Sequence, residues 1–343
     1  MRAEALEGYV AAMFERLGLP PASARLVAES LVEADLEGVA SHGVALVPLY
    51  VERLQAGSVS LNLEAEVAHD AGAVVVLDAA HALGQLTATQ AVRLALERAR
   101  RHGLAAVAVR QAYHFGAAAR WAKAIAAQGL VGIAMSNTRP LMPPPGGAER
   151  IVGNNPLAIA FPAAAGEPLV VDMAMSATAM GRIRLAHAAA RPIPEGWATD
   201  AAGRPTTDPA AAIQGMLLPA AGPKGFALAV AIDLLCGGLS GGNITDEVGP
   251  LYGDPAQRYG CSHLFLALDP AAFGIEDFGA RAQALAQKIR NAKRAEGTER
   301  LYAPGDLERS RRAAHAQAVP LAPEVLARLH QTADKLGMQR IAT

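Results

Sequence analysis

Aromatic residues make up only 4% of the 343-residue chain, and its 31 Lys and Arg are balanced by 32 Asp and Glu. Without stacking rings or surplus positive charge, there is little to grip bases or neutralise a phosphate backbone, which excludes nucleic acid as a partner. Cysteine is equally scarce. Cys236 and Cys261 are too few for a metal cluster and lie in apolar stretches, so they read as buried thiols of a cytoplasmic protein. No H-x-x-x-H or C-x-x-C spacing supports convergence of His42, His114, Asp172 and His263 on a metal, and none is expected. Long hydrophobic runs are missing too. The longest, Phe226–Leu239, is too short to span a bilayer and contains Asp233. The first residues carry Glu4, Glu7, Glu15 and Arg16 at helical spacing, unlike a secretory leader, so no membrane partner is expected. Finally, no G-x-G-x-x-G follows a strand and no P-loop occurs, so any bound dinucleotide must be held in some other way.

Apolar residues are abundant, at 52% against 18% charged, enough to bury a substantial core over two domains. Leu6, Val10, Met13, Phe14 and Leu17 form a helical stripe that Pro20-Pro21 interrupts, and Ala24–Leu36 resumes the period. Ser41 is a candidate N-cap for a third helix ending near Gly57. From Val74 the pattern alternates between short apolar runs and amphipathic helices. Strands are expected at 74–77, 104–109, 130–135, 158–161, 169–171 and 263–268, and helices at 87–102, 116–128, 226–239 and in three segments after 277. Residues 192–219, rich in Pro, Gly, Asp and Thr, form an ordered excursion in which Ile193 and Trp197 need somewhere to pack. The expected fold is α+β (mixed α/β): a helical domain of residues 1–70 with 275–343, and a central sheet domain of residues 71–274.

The chemistry concentrates at the ends of elements. Ser41-His42-Gly43 and Tyr113-His114-Phe115-Gly116 set two histidines where rigid backbone can hold a ring toward a ligand. Thr138-Arg139 follows a strand and offers a hydroxyl and a fixed cation. Gly153-Asn154-Asn155-Pro156 is a turn allowing close approach of backbone. Asp172-Met173-Ala174 ends a strand with a carboxylate able to accept from a hydroxyl, and Lys224 stands at a helix N-terminus, where the dipole adds to its charge.

Together with Ile193-Pro194-Glu195-Gly196-Trp197, Pro223-Lys224-Gly225, Leu239-Ser240-Gly241 and Pro304-Gly305-Asp306, these segments resemble the malate/L-lactate dehydrogenase-like oxidoreductases over nearly the whole chain. That group includes ureidoglycolate, sulfolactate and diketogulonate enzymes and reductases of cyclic imino acids. The resemblance implies a homodimer with a non-Rossmann nicotinamide-binding fold. It implies NAD or NADP held by Thr138, Asp172, Met173, Ala174, Lys224, Gly305, Asp306 and Leu307. It matches His114 to the proton acceptor of ureidoglycolate-type members and His42 to a histidine beside the substrate that serves as acid/base in some imine-reducing relatives, so the two roles stay open, and Ser41 can share the same oxygen. Ser41, His42, Tyr50 and Arg139 are the candidate substrate-binding residues. One departure stands out: hydroxy-acid members commonly carry arginine where this chain has Leu46, so Arg139 becomes the candidate clamp for a carboxylate.

The expected activity is therefore NAD(P)-dependent interconversion of a small 2-hydroxy acid and its 2-oxo acid. Two alternatives stay open. One is reduction of a cyclic imino acid in the less polar pocket that Leu46 and Tyr113 would create; the other is a non-catalytic dimeric binding protein of the same fold.

Overall fold

The computed structural model describes residues 1–164 and 167–341. Three helices lead: α1 (Ala3–Arg16), α2 (Pro21–Leu36) and α3 (Val47–Ala56). Pro21 opens α2 where its missing N–H costs no hydrogen bond, and Gly57 ends α3 in the left-handed region. Then follow β1 (Glu66–Asp70), β2 (Val74–Asp78), α4 (Gly84–His102), β3 (Leu104–Ala112), α5 (Ala118–Ala126), β4 (Val131–Ser136), β5 (Leu157–Phe161) and β6 (Leu169–Met173). The excursion contains α6 (Met180–Ala188), β7 (Ala198–Thr199), β8 (Pro205–Thr206), α7 (Pro209–Gln214) and β9 (Met216–Leu217). The chain continues with α8 (Pro223–Asp233), β10 (Cys261–Leu268), α9 (Phe278–Arg290), α10 (Asp306–His315) and α11 (Pro323–Lys335).

The fold is mixed α/β, built on a seven-stranded sheet ordered β1-β2-β3-β10-β4-β5-β6. Only β2 and β3 pair in parallel, across the α4 crossover; every other pair is antiparallel. Because β10 lies antiparallel between β3 and β4, and β5 between β4 and β6, strands β2, β3, β4 and β6 all point the same way. Their C-terminal ends deliver Tyr113-His114, Asn137-Thr138 and Met173-Ala174 to one edge of the sheet, so the topology gathers residues far apart in sequence.

One continuous core joins α1–α3, α4, α5 and α11 to one face of the sheet. A second core, on the other face, takes in α8 and the excursion, including Ile193 and Trp197, which supports the ordered reading of residues 192–219. The excursion has its own three-stranded sheet, β8-β7-β9, and Asp208 caps α7 through the Ala210 and Ala211 N–H groups. Helix α9 packs on β6 at the sheet edge through Ala282, Ala286 and Leu169. Both cysteines are free and buried.

Three local expectations need correction. Strand β1 has no apolar alternation, all five residues being exposed, so its pairing with β2 left no periodic trace. The apolar helix does not run unbroken to Leu239: it passes from α8 into a π-turn over Leu234–Gly238, where Gly237 sits so close to the Asn243 carbonyl that a side chain would collide. Ser41 caps no helix. Two short 3-10 turns, Ala40–His42 and Val44–Leu46, precede α3, and the Val44 N–H is taken by the Asp35 carboxylate instead.

Candidate active site

His42, from the first 3-10 turn, and His114, just beyond β3, stack with ring centroids 5.4 Å apart and planes 27° apart. The two are brought together from 72 positions apart by the packing of the helical segment on the sheet. His114 is fixed from behind. Its Nδ1 lies 2.7 Å from the Tyr50 hydroxyl on α3 and 3.3 Å from the Gly116 N–H, and Gln85 Nε2 donates to the same hydroxyl at 3.2 Å. Gly84, at the start of α4, runs so close to the Tyr113 and His114 carbonyls that any side chain would clash. His42 has a lighter tether, a 2.9 Å contact between its Nδ1 and Ser41 Oγ.

Electrostatics keep both rings neutral. Desolvation lowers the His42 pKa to about 4. Desolvation also takes His114 well below the ordinary histidine range, and the neighbouring His42 and His263 push in the same direction. His263, buried in β10, stacks on Phe115 at 4.3 Å, and burial lowers it to about 3. Burial thus disfavours the charged form of all three rings.

Tyr50 was expected to touch substrate. It is fully buried, and its hydroxyl is engaged with His114 and Gln85, so its place is behind the histidine. Leu46 is packed in the core and offers nothing polar. Arg139 is half-buried and, among the described residues, makes no hydrogen bond or ion pair. Desolvation lowers its pKa, as do the cations Arg150 and Arg184, while Tyr259 acts oppositely. Tyr259 leads back to the histidines: its ring lies 5.9 Å from Tyr113, which meets Tyr50 edge-on at 5.0 Å. The loop before Tyr259 is tied down by the fully buried Arg53, whose guanidinium donates to the carbonyls of Pro250, Leu251 and Gln257.

A groove of about 1250 Å³ opens between α2 and α10 on one side and α5 and β6 on the other. Val39 and Ala117, each three residues from a histidine of the pair, line it, as do Asp172, Met173, Gly305 and Leu307. Asp172 stands at its surface without a hydrogen-bond partner; desolvation by the surrounding walls, then Glu308, raises its pKa to about 6. The four lining cations are all paired: Arg120, Lys123 and Arg312 with Glu33 or Glu37, and Arg309 with Asp306. The Asp306 carboxylate is likewise engaged, by Arg290 at 2.8 Å through two nitrogens and by the Ala303 N–H, and the Arg290 bonds hold its pKa well below the carboxylate range. Gly305, at φ +89, presses against Val170.

Thr138, Ala174 and Lys224 lie outside the groove wall, beyond the same sheet edge. Thr138 Oγ1 donates to Asn154 at 3.0 Å, the Asn154 carbonyl accepts from Met175, and Met175 accepts from Ala220 just before α8. Lys224 is exposed in the first turn of α8. Among the described residues no group of three or more His, Cys, Asp or Glu side chains could hold a metal ion, and no helix is long and apolar enough to cross a membrane.

Sequence reading passed over Gln85 and Asp35. Asp35 left a signal, a charged residue on the buried stripe of α2; Gln85 left none.

The chain is similar to known proteins over most of its length. The chain is 38% identical over 285 residues to a (2R)-3-sulfolactate dehydrogenase (NADP(+)) of Chromohalobacter salexigens, covering 82% of this chain and 85% of that one. Its structure matches sulfolactate dehydrogenase from Methanocaldococcus jannaschii with TM-score 0.93 and 33% identity, covering 99% and 98% of the two chains. It also matches Δ1-piperideine-2-carboxylate reductase from Pseudomonas syringae with TM-score 0.87 and 32% identity, covering 97% and 99%. The family model for malate/L-lactate dehydrogenase covers residues 1–330, and the chain belongs to that family.

Proposed function

We propose that the chain is an NAD(P)-dependent oxidoreductase interconverting a small 2-hydroxy acid and its 2-oxo acid, with His114 exchanging the substrate proton. The observation that carries this is the tether of His114 Nδ1 to the buried Tyr50 hydroxyl, which leaves Nε2 without a protein partner on a partly open ring. In the oxidising direction the neutral ring accepts the hydroxyl proton at Nε2. The neutral ring carries its proton on Nδ1, so Nδ1–H faces the Tyr50 oxygen both before and after the transfer, while the Tyr50 hydroxyl donates to the His114 carbonyl 3.3 Å away and Gln85 donates to Tyr50. Because desolvation disfavours the charged ring, the proton is readily given back in the reducing direction. His42 and Ser41 orient the reacting oxygen, and Arg139, a guanidinium with no counterion, holds the substrate carboxylate.

The groove fits a dinucleotide by size and chemistry: apolar side chains of Met173 and Leu307 for ring faces, and the unpartnered Asp172 carboxylate for hydroxyls. Asp172, Met173 and the Gly305-Asp306-Leu307 turn would hold it there, Asp306 by bracing the turn, with Ala174, Thr138 and Lys224 beyond the sheet edge. When bound, the nicotinamide supplies the hydride acceptor or donor. The helical part, residues 1–70 with 275–343, and the sheet part, residues 71–274, supply the two walls.

A homodimer is part of this reading. Leu228, Leu234, Leu235 and Leu239, on α8 and the π-turn after it, form an exposed apolar stripe, Leu239 being 67% exposed, suited to a second copy. The free buried thiols suit a cytoplasmic setting. Leu46 favours a second reading, reduction of a cyclic imino acid, because the chain lacks the arginine that hydroxy-acid members commonly carry at that position.

The test is an absorbance screen of NADH and NADPH against 2-oxo acids and cyclic imines. Turnover of 2-oxo acids is expected. Exclusive turnover of cyclic imines would move the assignment to the second reading, and cofactor binding without any turnover would point to an idle binding protein.

A further inference from the structure

We propose that Asp35 is a positioning residue for the reaction: its buried carboxyl is the seat on which the Ser41-His42-Gly43 turn rests, and through that turn it aims His42 at His114. This rests on the assignment of the histidine pair as the reacting centre. Asp35 lies in the last turn of α2 between buried neighbours Leu31, Val32, Ala34 and Leu36, at a position where the helix period calls for an apolar side chain. It is 4% exposed, and no cation faces it. A carboxyl so placed is costly to bury unless it holds something that needs it.

What it holds is the chain immediately after His42. Asp35 Oδ2 accepts from the Val44 N–H at 2.8 Å. Gly43 crosses the carboxyl so closely that a Cβ there would fall within it. Gly43 has φ −92, an ordinary extended value, so close approach and not backbone conformation accounts for glycine here. The chain then folds back on α2: the Ala34 carbonyl accepts from Val39 and the Asp35 carbonyl from Gly38, and the 3-10 turn Ala40–His42 follows. His42 therefore hangs from a support two residues long, and its own side-chain contact, Ser41, belongs to the same turn. Burial raises Asp35 to about 7, consistent with a group chosen for its hydrogen bond over its charge; protonated or not, Oδ2 can accept from Val44.

The experiment combines Asp35→Ala, Asp35→Asn, Gly43→Ala and His42→Ala. Asp35→Ala should lower kcat about tenfold or more, since small displacements of reacting groups are expensive, while NADH affinity by Trp121 fluorescence stays unchanged. Asp35→Asn keeps an acceptor oxygen and should stay within about threefold of the original. Gly43→Ala keeps the carboxyl but blocks the approach, and should resemble Asp35→Ala. In a His42→Ala background, Asp35→Ala should cost nothing further, as expected of a residue acting through His42. Ring NMR signals of His42 should move in Asp35→Ala while those of His263 do not, a readout that needs no turnover and so separates this proposal from the assigned activity. The proposal is overturned by full activity in Asp35→Ala or Gly43→Ala, by the same loss with and without His42, by a tenfold loss in a folded Asp35→Asn, or by unmoved His42 signals.

Discussion

His42 and His114 stack on one another, yet the fold holds them by different means. His114 is clamped by residues distant in sequence, Tyr50 on α3, Gln85 on α4 and the close passage of Gly84, and most of those contacts are buried. His42 is held locally, by Ser41 beside it and by the turn that Asp35 supports. A group that gains and loses a proton needs a partner for its other ring nitrogen in both states. The Tyr50 oxygen can accept from Nδ1–H whether or not Nε2 carries a proton, because its own hydroxyl proton can turn to the His114 carbonyl. His42 has a hydroxyl neighbour on a more exposed turn, and its support from Asp35 reaches the backbone of that turn and not the ring. The difference is what supports the proposal that His114 exchanges the proton and His42 orients the substrate.

The largest expected effect is that of His114→Ala, which should lower turnover by about 10²- to 10⁴-fold with cofactor affinity intact. Near-original turnover would dissolve the contrast between the two rings. Next comes Arg139→Ala. A charged hydrogen bond to substrate is worth roughly 1.5–3 kcal/mol, so KM for carboxylate substrates should rise about 10- to 150-fold while NADH affinity holds. Equal losses for substrate and cofactor would reassign Arg139 to the cofactor. Tyr50→Phe keeps the ring packing but removes the hydroxyl, and should cost kcat about tenfold, leaving Gln85 without its acceptor. An unchanged kcat would show that the tether is only packing. The smallest effect belongs to Ser41→Ala, about threefold or less in kcat, because its contact reaches His42 at an exposed position. A loss there as large as in His114→Ala would reverse the two roles.

Much of this was legible in the sequence, for identifiable reasons. Helix periods placed α1 and α2, and apolar runs bounded by turn residues placed β2, β3, β4 and β10, because burial imposes those patterns directly. Strand β1 was invisible because it is an exposed edge whose pairing needs only backbone. The sequence separated His42 from His114 by 72 positions, and their stacking is a product of sheet order that no local pattern encodes. Tyr50 was a candidate substrate ligand by its nearness to the Ser-His-Gly segment in sequence; its contacts with Gln85, His114 and Tyr113, which hold it inward, are tertiary facts. Asp306 shows the same limit: its position in the Gly305-Asp306-Leu307 turn was apparent, but its engagement by Arg290 and Arg309 is a tertiary fact.

The most direct test is the protonation state of His114 itself, followed through its ring-nitrogen NMR shifts from about pH 8 to 5. Desolvation and the neighbouring rings lower its pKa, so the neutral form must persist as pH falls through the ordinary value near 6.5, and the base stays available across that range. The account predicts a ring that stays neutral as the pH falls through the ordinary histidine value, with Nδ1 shifts that change in Tyr50→Phe. A ring that titrates near 6.5, or Nδ1 shifts indifferent to loss of the Tyr50 hydroxyl, would contradict it.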